Sequence, residues 1–189
     1  MGHFISKCLN RKKRSVVFLG APGSGKNSII KILRKEKNSS PPNNMYQEFT
    51  VHGKGYAVDV YDVSEEEKHV NFWKFYFENC SLAIFVVNIS DEAKIAQAKE
   101  VFENFFTSYG LNKESILFLL NDGTIDQIKE EEDAAPKRVD SSAMVRSFIN
   151  EHFSAILGLN RKVLAKHMVV SSETTKNKLL SFICKNLHE

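Results

Sequence analysis

One stretch constrains this chain more than any other. Gly20-Ala21-Pro22-Gly23-Ser24-Gly25-Lys26 matches GxxxxGK. It lies between an apolar run at 15–19, SVVFL, and a segment with Ile29, Ile30, Ile32 and Leu33 at helical spacing. Strand, glycine loop and helix in that order form the context in which this pattern binds phosphate. The glycines let backbone N–H groups turn inward around phosphate oxygens. The helix that starts near Gly25 adds the positive end of its dipole, and Lys26 adds a point charge. Gly20 to Lys26, with Asn27 and Ser28, are therefore the candidate phosphate-binding residues.

The chain has 189 residues, 42% hydrophobic and 26% charged, which suits one soluble domain with a single core. Its net charge of +3 is too small to imply nucleic acid as a partner, and none is expected. Charge is concentrated locally. Lys7, Arg11, Lys12, Lys13 and Arg14 sit together, and Glu130, Glu131, Glu132 and Asp133 form an acidic run inside a surface insertion near 127–140. Cys8, Cys80 and Cys184 are far apart, with no CxxC or Cys/His cluster for zinc. Their odd number, in a chain without a secretory signal, fits a reducing, intracellular compartment. Cys80 and Cys184 fall in apolar patterns and read as core. No apolar run approaches the length of a bilayer span, and the first residues lack a signal peptide's apolar stretch.

Strands are expected at 46–52 and 56–62, joined by a turn containing Gly53, Lys54 and Gly55. A helix is expected over 65–78, with Val70, Trp73 and Phe77 on one face. SLAIFVVNI at 81–89 and ILFLL at 116–120 read as buried parallel strands. Helices are expected at 92–109, 144–156 and 178–187, and the last strand at 167–170. Strands alternating with amphipathic helices predict an α/β domain with a mostly parallel sheet covered on both faces. Ligands of such sheets sit beyond the carboxyl ends of the strands.

Several segments together resemble the Arf and Arf-like small GTPases over almost the whole chain. They are MGHFISKC at the start, the early phosphate loop, Pro42 to Tyr46, the hairpin, Tyr61-Asp62-Val63, Trp73-Lys74-Phe75-Tyr76-Phe77 and the strand LAIFVV at 82–87. The resemblance implies a P-loop small G domain over 15–189: six strands, mostly parallel, with one antiparallel edge strand. It also implies GTP or GDP as ligand, Mg²⁺ as companion ion, and effector or regulator proteins as partners. Tyr46, Tyr61 and Tyr76 match three aromatic positions of the family's effector surface. Aromatic residues often anchor such contacts.

The same resemblance marks where chemistry has been altered. Asn27 stands where a Ser or Thr hydroxyl would bind Mg²⁺, an ion that demands near-ideal octahedral geometry. Ser28, one residue along, is rotated by about 100° on a helix. Asn43 replaces the first switch's threonine. Asp62 survives as a metal-site carboxylate. Glu65 replaces a glycine whose N–H senses the γ-phosphate, and brings negative charge towards negative charge. Glu66 occupies the position of the glutamine that orients the attacking water, and an ionised carboxylate accepts but does not donate. The base-contacting motif reads Asn121-Asp122-Gly123-Thr124, with Ser171-Ser172-Glu173 as the last loop. Asn121, Asp122, Thr124 and Ser172 are its candidate base contacts. Loss of the bidentate aspartate weakens guanine discrimination. Weak Mg²⁺ binding, weak or lost GTP hydrolysis and a lean towards GDP are expected.

Residues 1–14 read as a membrane-attachment segment. Met1 to Ser6 fit M-G-x-x-x-[ST], with Gly2 as myristoyl acceptor. One such chain binds only marginally, and the basic residues supply a second attraction to an anionic membrane surface. Cys8 is a candidate for palmitoylation. A family member of this kind would sit peripherally on a membrane, such as the Golgi or another endomembrane, and recruit partners or act in vesicle traffic. Two alternatives stay open. One is a pseudo-GTPase used as a fixed binding surface. The other is a different P-loop NTPase or kinase, against which the hairpin, Asp62 and Trp73 argue.

Overall fold

The computed structural model describes residues 14–34, 45–53, 56–109, 115–122, 142–157, 162–167 and 173–187. The N-terminal segment with Gly2 and Cys8, Asn43, the acidic insertion, Thr124 and Ser172 lie outside them.

Six strands form one sheet: β1 (Arg14–Gly20), β2 (Tyr46–Gly53), β3 (Tyr56–Val63), β4 (Leu82–Asn88), β5 (Ser115–Asn121) and β6 (Lys162–His167), in the order β2-β3-β1-β4-β5-β6. All neighbours pair in parallel except β2 with β3, which are antiparallel and place β2 at an edge. The helices are α1 (Lys26–Arg34), α2 (Glu67–Val70), α3 (Trp73–Asn79), α4 (Glu92–Tyr109), α5 (Ser142–Leu157) and α6 (Glu173–Asn186).

The apolar runs of the central strands follow from burial on both faces. Side chains alternate across a strand, so Val17, Leu19, Ala83, Phe85, Val87, Phe118 and Leu120 face one layer, with Trp73, Phe102 and Phe153 from the helices. Val16, Phe18, Leu82, Ile84, Val86, Leu117 and Leu119 face the other, with Ile29 and Leu33 of α1 and Leu179 and Ile183 of α6. Cys80 and Cys184 are buried in these layers as expected. The buried Lys176 of α6 donates its ammonium to Leu33 O, 2.8 Å away at the end of α1, where helix carbonyls and the dipole favour a cation.

The strand β6 lies at Lys162–His167, in register with Ser115 to Leu120; of the strand expected at 167–170 only His167 is among the described residues. One expectation needs correction. The expected helix over 65–78 is two helices with Asn71 and Phe72 between them. The three-residue bonds His69 N to Glu66 O (2.7 Å) and Phe72 N to His69 O (2.9 Å) tighten the chain there. That turn sends the Trp73 indole N–H back to Ser64 O at 2.9 Å. Among the described residues, no helix is long and apolar enough to cross a membrane.

Candidate functional site

The loop after β1 opens at the carboxyl edge of the sheet, between Asp62 of β3, paired with Phe18, and Val86 of β4, paired with Gly20. Gly23 and Gly25 hold φ of 73° and 85°, a region that side chains with a Cβ rarely enter. A Cβ on Gly25 would also collide with the Asn121 amide nitrogen. The loop closes with Ser24 N bonded to Ala21 O (3.1 Å), and α1 starts with Ser28 N and Ile29 N bonded to Gly25 O.

Two asparagines brace it from below. Asn121 Nδ2 donates to Ser24 O at 3.1 Å and Asn88 Nδ2 to Gly23 O at 3.0 Å. They are register partners at the ends of β5 and β4, so adjacent strands fix adjacent loop carbonyls. The amide of Asn121, a candidate base contact, is thus committed on its nitrogen side to the loop. Asp122 follows it, half-buried. Asn88 was not legible as a site residue, because it falls inside the apolar run read at 81–89.

Lys26 is buried, and its ammonium meets Asp62 Oδ1 at 2.6 Å; both side chains are essentially inaccessible. Glu65 stands beside this pair. Burial raises the pKa of its carboxylate above the ordinary value; the nearby Lys26 charge opposes this, the Asp62 carboxylate adds to it, and the Gly23 backbone N–H opposes it least. The backbone at Glu65 is tethered on its N-terminal side. Ser64 N donates to Met45 O and the Trp73 indole to Ser64 O, each at 2.9 Å. Lys94 of α4 brings a second ammonium to the loop, about 3.0 Å from where a Cβ on Gly23 would lie. Spacing did not single out Lys94 either.

Glu66 is not gathered into this cluster. Its exposed carboxylate bonds Lys68 Nζ at 2.6 Å, which holds its pKa below the ordinary range. Asn27 and Ser28 are half-buried on the first turn of α1. The loop fits a phosphate group, since positive-φ glycines, a helix start and two ammonium groups converge on it. Mg²⁺ fits less well. Position 27 offers an amide in place of a hydroxyl, and Asp62 Oδ1 is already paired with Lys26.

The three tyrosines do come together. The Tyr76 ring lies 5.0 Å from that of Tyr46 and 5.8 Å from that of Tyr61. Tyr61 bonds the Glu48 carboxylate, and its pKa is raised first by burial and then by that carboxylate. Phe75, 66% exposed, packs edge-on against Tyr76, and Phe72 is 48% exposed nearby in sequence. An exposed aromatic group of this kind commonly marks a contact surface.

The comparisons with known proteins agree with this geometry. The ADP-ribosylation factor family model matches residues 1–174. ADP-ribosylation factor-like protein alp41 of Schizosaccharomyces pombe is 25% identical over 160 residues, spanning 82% of this chain and 83% of its own. ADP-ribosylation factor J of Dictyostelium discoideum is 26% identical over 112 residues, spanning 59% and 60%. The solved structure of the Arl6 BBS3 small GTPase from Trypanosoma brucei, with bound nucleotide analogue GppNp, shares the fold. Its TM-score is 0.67 at 19% identity, over 94% of this chain and 98% of that one. The chain therefore belongs to the ADP-ribosylation factor family of small GTPases.

Proposed function

We propose that this chain is a guanine-nucleotide-binding member of its family that holds nucleotide mainly through the phosphates, with little help from Mg²⁺ and little or no turnover. The observation that carries this reading is the loop itself. Gly23 and Gly25 are at positive φ, Asn88 and Asn121 brace the carbonyls, and Lys26 lies at the loop's end. Gly20 to Ser28 would surround the phosphates, and Lys94 would add charge from α4. Asn121 and Asp122, at the end of β5, would lie on the base side together with Thr124 and Ser172. The nucleotide supplies the negative charge that this set of donors attracts.

Turnover is the weak point. Hydrolysis needs a group that positions water, and the Glu66 carboxylate is bonded to Lys68 at the surface. Asp62 and Asn27 remain the described candidates for a metal ligand, with Asn43 from the first switch. Residues 1–14 would attach the protein to an anionic membrane through myristoylated Gly2, the basic residues and Cys8. Tyr46, Tyr61 and Tyr76 would then face an effector or regulator, in partner recruitment or vesicle traffic on the Golgi or another endomembrane.

A second reading has an observation in its favour. The bond from Lys26 to Asp62 ties down the loop's main cation, as a pseudo-GTPase scaffold with a closed loop would do. Calorimetric titration of the full chain with guanine and adenine nucleotides separates the two. Saturable heat with a guanine nucleotide supports the first. No heat with mono-, di- or triphosphates of either base supports the scaffold.

A further inference from the structure

We propose that Lys94 takes the place of a metal ion at this site: its ammonium, carried over the middle of the phosphate loop by α4, binds phosphate oxygens of the nucleotide directly. The proposal rests on the nucleotide-binding reading above and gives the counter-charge of that ligand a source in the chain itself.

The turn between β4 and α4 sets the position of Lys94, and that turn is tied to the loop. Asn88, at the end of β4, donates its amide to Gly23 O at 3.0 Å, and its side-chain oxygen accepts Ser90 N at 2.9 Å. Ile89 N bonds Asn121 O at 2.7 Å, and the Asn121 amide in turn holds Ser24 O. Asp91 then caps α4, its carboxylate accepting Lys94 N at 2.8 Å. These bonds deliver the lysine to Gly23. Its Nζ lies about 3.0 Å, and its Cε 3.6 Å, from where a Cβ on Gly23 would stand. Apart from the chain neighbours of Gly23, no other described residue comes within 4 Å of that point. A side chain at position 23 would therefore displace the ammonium, which is a second reason for glycine there besides its φ of 73°.

Charge singles Lys94 out from the other groups at the loop. Lys26 is already paired with Asp62 at 2.6 Å, and burial of Glu65 works against a second negative charge beside that pair. Lys94 is half-buried, and its ammonium makes no ion pair or hydrogen bond among the described residues. Asp91, in its own turn, is engaged by backbone N–H. Pro22 and Asn88, which adjoin Gly23, carry no charge. A lysine ordinarily keeps its strongly hydrated ammonium in water. One that lies against a glycine loop, part-shielded and without an anionic partner, has lost hydration that an anionic ligand restores. In sites of this kind the metal neutralises charge on the phosphates. Mg²⁺ demands a near-ideal octahedral set, to which Asn27 and the engaged Asp62 Oδ1 are poorly suited. An ammonium brings the same sign of charge and three donors on a flexible stem, with no such demand.

The test uses the full chain freed of co-purified nucleotide, in EDTA and in excess Mg²⁺. Calorimetry gives the GDP affinity, and acylation by an amine-reactive ester, read by peptide mass spectrometry, reports the accessibility of each lysine. Saturating GDP in EDTA should suppress acylation of Lys94 in the wild type and leave the exposed Lys99, further along the same helix, unchanged. Lys94→Gln should bind GDP about tenfold or more weakly in EDTA, and Lys94→Arg within about threefold of the wild type. Lys99→Gln removes the same charge from the same helix and should match the wild type. Melting temperatures near that of the wild type report that the variants are folded, and the acylation pattern is read on the wild type itself. Undiminished acylation of Lys94 under GDP, or a loss that Lys99→Gln shares equally, would overturn the role of Lys94 and leave nucleotide binding standing. Protection that appears only with Mg²⁺ would overturn the replacement of the metal. Failure of every protein to bind GDP in either buffer would overturn the nucleotide reading and this proposal with it.

Discussion

Replacing Lys26 by methionine removes the cation of a buried ion pair while keeping a side chain of similar length. The pair is 2.6 Å apart, with 1% and 2% of the side chains exposed. At an effective dielectric near 20, Coulomb's law gives an attraction of about 6 kcal/mol at that distance. Desolvation of both ions offsets most of it, so the pair contributes little net stability. Removing one partner is different, because the other is stranded, at a cost of about 3–5 kcal/mol. Lys26→Met belongs at the upper end, since it leaves both Asp62 and Glu65 without the cation they face. Asp62→Asn belongs at or below the lower end, because Lys26 still faces Glu65. In a chain of this length each kcal/mol moves the melting temperature by about 2–4 °C, so Lys26→Met should melt some 10 °C or more below the wild type. The double variant Lys26→Met/Asp62→Leu should recover part of that loss. Circular dichroism melts and urea titrations of all four proteins read this out. A Lys26→Met loss below about 1 kcal/mol, or a double variant weaker than both singles, would refute the assignment of a stranded charge.

Three further outcomes follow from particular contacts. Trp73→Phe deletes the indole donor to Ser64 O and should cost about 1–3 kcal/mol in urea unfolding; an unchanged midpoint would mean the bond holds nothing. Glu65→Gln tests the sign of a pKa shift. Burial raises the Glu65 pKa above its ordinary 4.5, so folded protein binds more protons there than unfolded protein. Stability of the wild type relative to the variant should then fall as pH rises from 4.5 through the raised value. A relative gain over that window would show that Lys26 and Gly23 outweigh burial. Gly2→Ala, expressed with an N-myristoyltransferase, should stay at the bottom of a flotation gradient with anionic vesicles while the wild type floats. Equal flotation removes the lipid anchor.

The sheet was legible because its central strands are buried on both faces, which writes uninterrupted apolar strings at 16–19, 82–87 and 116–120. The hairpin was legible from alternation and glycines. β6 was not anticipated over 162–167 because Lys162, Lys166 and His167 break up the apolar pattern of KVLAKH, and local pattern alone does not place a strand there. Pairing with β5 does. The break at Asn71 was hidden because Val70, Trp73 and Phe77 keep a helical spacing across it. Only the distant carbonyl of Ser64 explains why Trp73 must turn back. In the site, the phosphate loop was legible because its glycines sit at fixed spacing. Asn88, Lys94 and the place of Glu65 beside the Lys26–Asp62 pair were not. Each depends on residues brought together from separate strands and helices, and no spacing encodes that. Glu66 was read by position in a motif, whereas its side chain is governed by Lys68, its close neighbour.

The decisive measurement is a paired titration of the full chain with GDP, once in excess Mg²⁺ and once in EDTA. Donors built around glycines and ammonium groups, with a poor metal site, predict saturable binding in both, with dissociation constants within about threefold. Binding that appears only with Mg²⁺, or no binding in either buffer, would contradict a phosphate site that relies on the loop and its lysines.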